Sequence, residues 1–322
     1  MEETNTTNLS LNYVTSGYKD SQVVDKSWCI LDHRLLIISG VCISICLCGL
    51  VGNMVVMWFL GFHMKKNPFT VYVLNLAVAD FSLLLFVLVI CTLYIISEVY
   101  CIFPFQYYFS KNILIVVFLF WYLASMYLLT AMSVERCLSV LFPIWYRCRR
   151  PKHLSGITCG MLWALAGLLV SLALISCFLG ITCEQLLQDI SIVNGLIFCL
   201  FPFLSNLSLF IKLQCGSQRR HPGRLYVALL LNVIFLFIFG IPFSVVMFLG
   251  PFYVELCYLH ISYLLASLNS SINPVIYFLV GSCRQRRLRG SVKAALRRVF
   301  EEKARSEEGS HVPGDTAVET SL

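Results

Sequence analysis

Residues Thr130–Pro143 read TAMSVERCLSVLFP, a run apolar enough for a membrane helix that sets Glu135 and Arg136 side by side near its end. A charge at the centre of a membrane helix costs about 2.5–3.5 kcal/mol on insertion scales, so ionisable residues kept in such runs mark function more often than packing. The flanking chain is just as oily. Of the 322 residues, 58% are hydrophobic and only 13% charged, and the mean hydropathy is +0.80. Soluble domains of this length carry about a quarter charged residues, so the bilayer is the solvent to reason with.

A spanning helix needs about 20 mostly apolar residues. Windows of that size predict seven spans: Leu35–Leu60, Thr70–Ile95, Ile113–Val140, Leu154–Leu179, Ser191–Leu213, Leu225–Phe248 and Leu256–Val280. Lys and Arg set the orientation. Twenty of the 24 basic residues fall on one side: Lys65 and Lys66, Arg136 to Lys152, Lys212 to Arg224, and the run from Arg284 to Arg305. The other side keeps Lys19, Lys26, Arg34 and Lys111. The expected protein is all-α and multi-pass in the plasma membrane, with an extracellular N-terminus and a cytoplasmic C-terminus. The stretch before Leu35 lacks the basic start and short apolar core of a signal peptide, so span one is expected to direct insertion.

Four regions follow: an extracellular tail over 1–34, a seven-span domain over 35–282, an amphipathic helix over 283–300 and a disordered cytoplasmic tail over 301–322. The first tail holds two glycosylation acceptors, Asn5-Thr6-Thr7 and Asn8-Leu9-Ser10. In the third region Leu288, Val292, Ala295, Leu296 and Val299 recur at helical spacing among Arg and Lys. That pattern suits a helix lying on the inner membrane surface, with a solvated basic helix as the alternative. The chain ends Glu319-Thr320-Ser321-Leu322, a form that a PDZ groove takes by strand addition and carboxylate capture. The net charge of +7 is spread over cytoplasmic loops and would meet anionic lipid before nucleic acid, which is not an expected partner.

Fifteen cysteines are present. Cys42, Cys46, Cys48, Cys91, Cys137, Cys159 and Cys199 fall in or at the edges of spans as small apolar side chains. Cys148, Cys215 and Cys283 face the reducing side. Cys29, Cys101, Cys177, Cys183 and Cys257 remain for the oxidising side. Cys177 and Cys183 flank the short loop after span four and are the expected pair; Cys29 with Cys257 is left open.

Polar residues inside the spans are functional candidates. They are Asn53 in span one, Asn75 and Asp80 in span two, Ser125 in span three, and Asn269, Ser270, Ser271, Asn273, Pro274 and Tyr277 in span seven. Asn269 and Asn273 share a helix face. Asp80 must be protonated, paired or bound to a cation. A small hard cation with oxygen ligands and a neutral carboxyl hydrogen-bonded to Asn273 and Ser125 both satisfy that. HExxH, paired CxxC, P-loop and GxSxG motifs are missing, as are a second buried carboxylate and the repeats or filter loops of transporters and channels. An enzyme is not expected.

The set Gly52-Asn53, Leu76 with Asp80, Glu135-Arg136-Cys137, Trp163, Pro202, Pro242 and Asn273-Pro274-Val275-Ile276-Tyr277 resembles the rhodopsin-like (class A) G-protein-coupled receptors. SVERCLSVLFPIWYRCRRP and SSINPVIYFLVGS are more narrowly similar to the Mas-related subfamily. The resemblance implies a receptor that binds an extracellular ligand and activates heterotrimeric G proteins as spans six and seven rearrange, with Pro242, Asn273 and Pro274 in the moving segments. It implies that Glu135 holds its neighbour Arg136 at rest, that Arg136 then faces the G protein, and that Tyr277 swings toward it. It also implies a sodium pocket, the one cofactor expected, at Asp80, Ser125, Asn269, Asn273 and Asn53. A span-four to span-five disulfide is a Mas-related feature that Cys177 and Cys183 fit.

The departures are informative. Lys111 stands near the place of the usual span-three cysteine, and Phe239-Gly240-Ile241-Pro242 lacks the tryptophan that most of the family carries two residues before the proline. Phe118 occupies the place of the amine-receptor aspartate, and Ala173 that of a span-four acid used for basic peptides. A peptide is the first expected ligand, and a small polar molecule or a lipid the second. Phe118, Tyr122, Glu184, Asp189, Tyr253 and Tyr263 are the candidate contacts. The other functional class is a seven-helix scaffold or partner subunit that has lost signalling, tethered through Leu322.

From Cys215 to Tyr226 there is no Asp or Glu, so no acid at the inner end of span six can lock Arg136. Ligand-independent second-messenger output is therefore expected to rise with receptor expression, measured as basal calcium and cyclic AMP across a series of surface levels.

Overall fold

In the computed structural model the described residues are 33–64, 67–100, 104–151, 153–179, 183–215, 224–241, 245, 256–282 and 296–297. Helix is the repeating element among them, as hydrocarbon demands, because a backbone without water must bond within its own segment. The helices are α1 His33–Phe62, α2 Pro68–Tyr100, α3 Pro104–Leu141, α4 Pro143–Cys148, α5 Leu154–Leu179, α6 Cys183–Cys215, α7 Arg224–Phe235 and α8 Leu256–Ser282. A π-helical turn, Leu236–Gly240, continues α7. Six of these are long and apolar enough to cross a membrane, and Val227–Gly240 is a shorter apolar helix in the place of span six. Spans one to seven are thus α1, α2, α3, α5, α6, α7 and α8, with α4 a short connector.

The helices overrun the hydropathy windows, since their polar ends still satisfy the backbone. Span three starts at Pro104 rather than Ile113, and span five at Cys183 rather than Ser191. Glu184 and Asp189 therefore lie on span five, not in a loop. Thr70 and Asn67 cap span two reciprocally: the Thr70 amide donates to Asn67 Oδ1 at 2.8 Å and the Asn67 amide to Thr70 Oγ1 at 2.9 Å. Pro143 opens α4, where a missing N–H costs nothing. Of residues 283–300 only 296 and 297 are described: both are helical, with Leu296 buried in the core and Arg297 exposed. Asn5, Asn8, Pro242, Tyr253 and Leu322 lie outside the described residues.

Span three is the axis of the bundle. Some 78% of its most apolar window is buried, against 17% for span four, which presents most of its surface outward. Span one joins through small residues. A Cβ on Gly49 would lie 2.1 Å from Ser271 Oγ, 2.8 Å from Ser271 Cβ and 2.7 Å from Leu84 Cδ1, so only glycine lets span one sit against spans two and seven. Gly52 meets Pro274 in the same seam, where a Cβ would be 3.1 Å from the ring. Ser271 Oγ donates to the Ile45 carbonyl across it at 3.3 Å.

Gly49→Ala is expected to destabilise the purified receptor by about 1–3 kcal/mol through overpacking. Gly40→Ala, where nothing lies within 4 Å of the added carbon, should cost nothing. A thermal-melt comparison of the two variants checks both outcomes.

Candidate functional site along spans two, three, six and seven

Asp80 is wholly buried at the meeting of spans two, three and seven. Ser125 Oγ donates to its Oδ1 at 2.6 Å and Asn273 Nδ2 to its Oδ2 at 2.7 Å, and Ser270 also faces it. Two expected partners of Asp80 are in place. Asn269 lies one turn from Asn273 on the same helix face, and its Oδ1 is buried without a hydrogen-bond partner. A carboxylate, a hydroxyl and an amide oxygen left open make an oxygen donor set of the kind a hard cation takes. Asn53, expected in the same pocket, has a different task. Its Nδ2 donates to the Gly49 carbonyl at 3.0 Å and the Ser270 carbonyl at 3.1 Å, tying span one to span seven.

One turn beyond Asn273, Tyr277 is buried and accepts a hydrogen bond from Asn232 Nδ2 of span six at 3.2 Å. Asn232 belongs with the functional residues, as do Tyr127 of span three and Asn194 of span five, joined by a hydrogen bond from the phenol to Asn194 Oδ1. Neither asparagine was among the candidates. Each is a lone amide in an apolar run, in LLLN and SIVN, and the rule that singled out Asn53 and Asn75 would have found both. Asn75 itself accepts from Trp163 Nε1 at 3.2 Å, joining spans two and four.

The Glu135–Arg136 pair corrects the expectation it prompted. Consecutive residues on a helix point about 100° apart and do not face each other. Glu135 turns toward the connector after span three, where Arg150 Nη2 lies 2.6 Å from Glu135 Oε1. The contact is ionic, without hydrogen-bond alignment, since Glu135 Oε1 has no hydrogen-bond partner; Nη2 also donates to Ser155 Oγ at 2.5 Å. Tyr146 of α4 completes this group, and burial, reinforced by the Glu135 carboxylate, raises its phenol above the ordinary value. Arg136 turns the other way. Its guanidinium carbon stands 3.8 Å from the centre of the Phe69 ring on span two, a cation–π contact. Its Nε and Nη2 are buried and have no hydrogen-bond partner. Lys212 of span five donates to the Leu141 carbonyl at 3.2 Å, capping the same end of span three.

At the opposite end the aromatic candidates are core, not an open lining. Phe118, Tyr122 and Tyr263 are each at most 3% exposed. The Phe118 ring is edge-on to Tyr263 at 4.9 Å and stacked on Tyr122 at 6.2 Å. Asp189 is exposed on span five, and the Glu184 side chain is outside the described set. Cys177 is disulfide-bonded, and Cys257 carries a free thiol, which removes the Cys29–Cys257 pairing.

Against known proteins, a family profile for the 7 transmembrane receptor (rhodopsin family) matches residues 52–217. The chain is 39% identical over 326 residues to the Mas-related G-protein coupled receptor member B2 of Mus musculus, covering 94% of each chain. It is 44% identical over 271 residues to member X2 of Pan troglodytes, covering 80% of this chain and 81% of the relative. It is 38% identical over 285 residues to the Proto-oncogene Mas of Rattus norvegicus, covering 85% and 87%. With the buried polar line from Asp80 to Arg136 set in a helix bundle, these similarities place the chain in the rhodopsin family of seven-transmembrane receptors, as a Mas-related G-protein-coupled receptor and not an enzyme.

Proposed function

We propose that this receptor sits in the plasma membrane with its N-terminus outside, binds an extracellular peptide, and activates heterotrimeric G proteins by moving spans six and seven away from span three. The observation that carries the reading is Arg136. It is buried and charged, set on the face of the Phe69 ring, with Nε and Nη2 left without hydrogen-bond partners. A buried cation in that condition gains when a partner supplies acceptors. A G-protein segment entering the basic end, between Lys212 and the loop from Arg147 to Lys152, would supply them.

On this reading Glu135 serves the receptor through Arg150, fixing α4 beside the transducer, and Tyr277 is released from Asn232 as span six leaves. Ligand recognition falls to the outer acids, with Asp189 exposed on span five and Glu184 one helical stretch before it, above the floor made by Phe118, Tyr122 and Tyr263; Tyr253, outside the described residues, stays a candidate contact from the sequence. Cys177 with Cys183 would staple spans four and five beside that entrance. Sodium would rest on Asp80, Ser125 and Asn269, with Asn273 orienting the carboxylate, and its positive charge would favour the resting packing. Glycans on Asn5 and Asn8, anionic lipid along 283–300 and a PDZ domain at Leu322 complete the expected surroundings.

The test is basal calcium and cyclic AMP output against surface expression, for wild type and Arg136→Ala in parallel. Wild type is expected to signal in proportion to expression, and the variant to lose about tenfold or more, as when the coupling residue of a two-state switch is removed. Silence of both at good surface levels would favour the scaffold reading. For the cation, raising sodium at constant ionic strength is expected to lift the thermal midpoint of wild type, and Asp80→Asn to abolish the lift. An equal response in the variant would place the ion elsewhere.

A further inference from the structure

Most rhodopsin-like receptors couple ligand to span six through the tryptophan that this chain replaces with Gly240, so some other contact must hold span six at rest. The candidate lies beside that glycine. Tyr122 of span three, 3% exposed, donates its hydroxyl to the Gly240 carbonyl at 2.5 Å, across 118 residues of sequence. The acceptor closes the π-helical turn Leu236–Gly240, in which the Ile241 amide bonds to the Leu236 carbonyl. Such turns are rare, occur as single-turn bulges within α-helices and are frequent at functional sites and kinks. Glycine gives this approach room: a Cβ there would lie 3.1 Å from Leu236 Cδ1 and 3.2 Å from both Cε and Sδ of Met126, one helical turn from Tyr122, and would press those side-chain ends back by a few tenths of an ångström.

From Tyr122 a continuous set of rings runs toward the ligand end. It stacks on Phe118, Phe118 meets Tyr263 edge-on, Tyr263 lies 6.2 Å from His260, and His260 packs on Tyr94 at 4.5 Å. These rings belong to spans two, three and seven, and the Tyr122 hydroxyl joins the series to span six. A displacement of Tyr263 or Phe118 by a bound ligand would reach span six there.

We infer that the Tyr122 hydroxyl on the Gly240 carbonyl is the resting latch of span six, standing in for the aromatic toggle, and that ligand opens it through Phe118 and Tyr263. The inference rests on the receptor reading above. Tyr122 acts here as a positioning residue, through its hydroxyl on the π-turn.

The full-length receptor in lipid nanodiscs tests it with two readouts, ligand-independent nucleotide exchange on an added heterotrimer and amide hydrogen exchange along 236–241. Tyr122→Phe keeps the ring and removes the hydroxyl. It is expected to raise basal nucleotide exchange about two- to tenfold, the range set by one net hydrogen bond. Amides of the π-turn should exchange faster, while those of spans one and two stay at wild-type rates. Tyr122→Phe indistinguishable from wild type in both readouts would overturn the latch. If the π-turn loosens while wild type and variant alike leave the heterotrimer untouched, the latch stands and G-protein coupling fails. Should Tyr122→Phe be poorly made, Gly240→Leu reaches the same contact from span six, by displacing Met126 and Leu236. The same rise supports the latch, and an unchanged rate counts against it. The double variant is expected to add little to either single change, because both break one bond.

Discussion

A polar group inside hydrocarbon has to be answered by another polar group of the protein, and that constraint organises this receptor. Asp80 is the strongest case. Its carboxyl is wholly buried, and its partners come from two other helices, Ser125 of span three and Asn273 of span seven. Three spans are therefore registered against one another to within a hydrogen bond's tolerance. The remaining links repeat the device: Asn53 to the Ser270 carbonyl, Trp163 to Asn75, Tyr127 to Asn194 and Asn232 to Tyr277. Apolar packing alone cannot set such a register, because lipid tails are as apolar as leucine. The glycine seam at Gly49 and Gly52 supplies the close approach, and the amides supply the alignment.

The same constraint explains what could be read from sequence. A polar residue in an oily run is conspicuous, so Asp80, Ser125, Asn273, Tyr277 and Arg136 stood out, and the i, i+4 spacing of Asn269 and Asn273 placed them on one face. The positions that went unseen depend on direction rather than identity. Glu135 beside Arg136 looks like a pair on the page, yet the helical turn sends one to Arg150 and the other to Phe69. Helix ends were set short because a hydropathy window penalises the polar first turns of spans three and five, which the backbone ladder does not. The aromatics Phe118, Tyr122 and Tyr263 looked equally suited to a pocket wall or a core. Their composition is the same in both cases, and only the packing places them in the core.

The π-turn shows a third kind of gap. Phe239-Gly240-Ile241-Pro242 announces the loss of a tryptophan, and proline in a helix announces a broken hydrogen bond. Neither tells which carbonyl is left to an outside donor. That depends on how the turn before the proline is wound, and here it is wound wide enough to offer the Gly240 carbonyl to a phenol from span three. With glycine at 240 in place of a large ring, the backbone carbonyl itself meets Tyr122 of span three.

That exchange has an energetic consequence. Span six is tied to its neighbours by Tyr122 to Gly240 and by Asn232 to Tyr277, each worth about 0.5–1.5 kcal/mol net. No acid at its inner end adds an ion pair with Arg136, whose charge rests instead on Phe69. Moving a two-state protein from 1:99 to 99:1 takes about 5.5 kcal/mol of differential affinity. Two neutral hydrogen bonds supply less than that, so these contacts by themselves hold the resting state with a small margin, in keeping with the basal output expected above. On the proposed receptor reading, a ligand then needs only a modest preference for the open form.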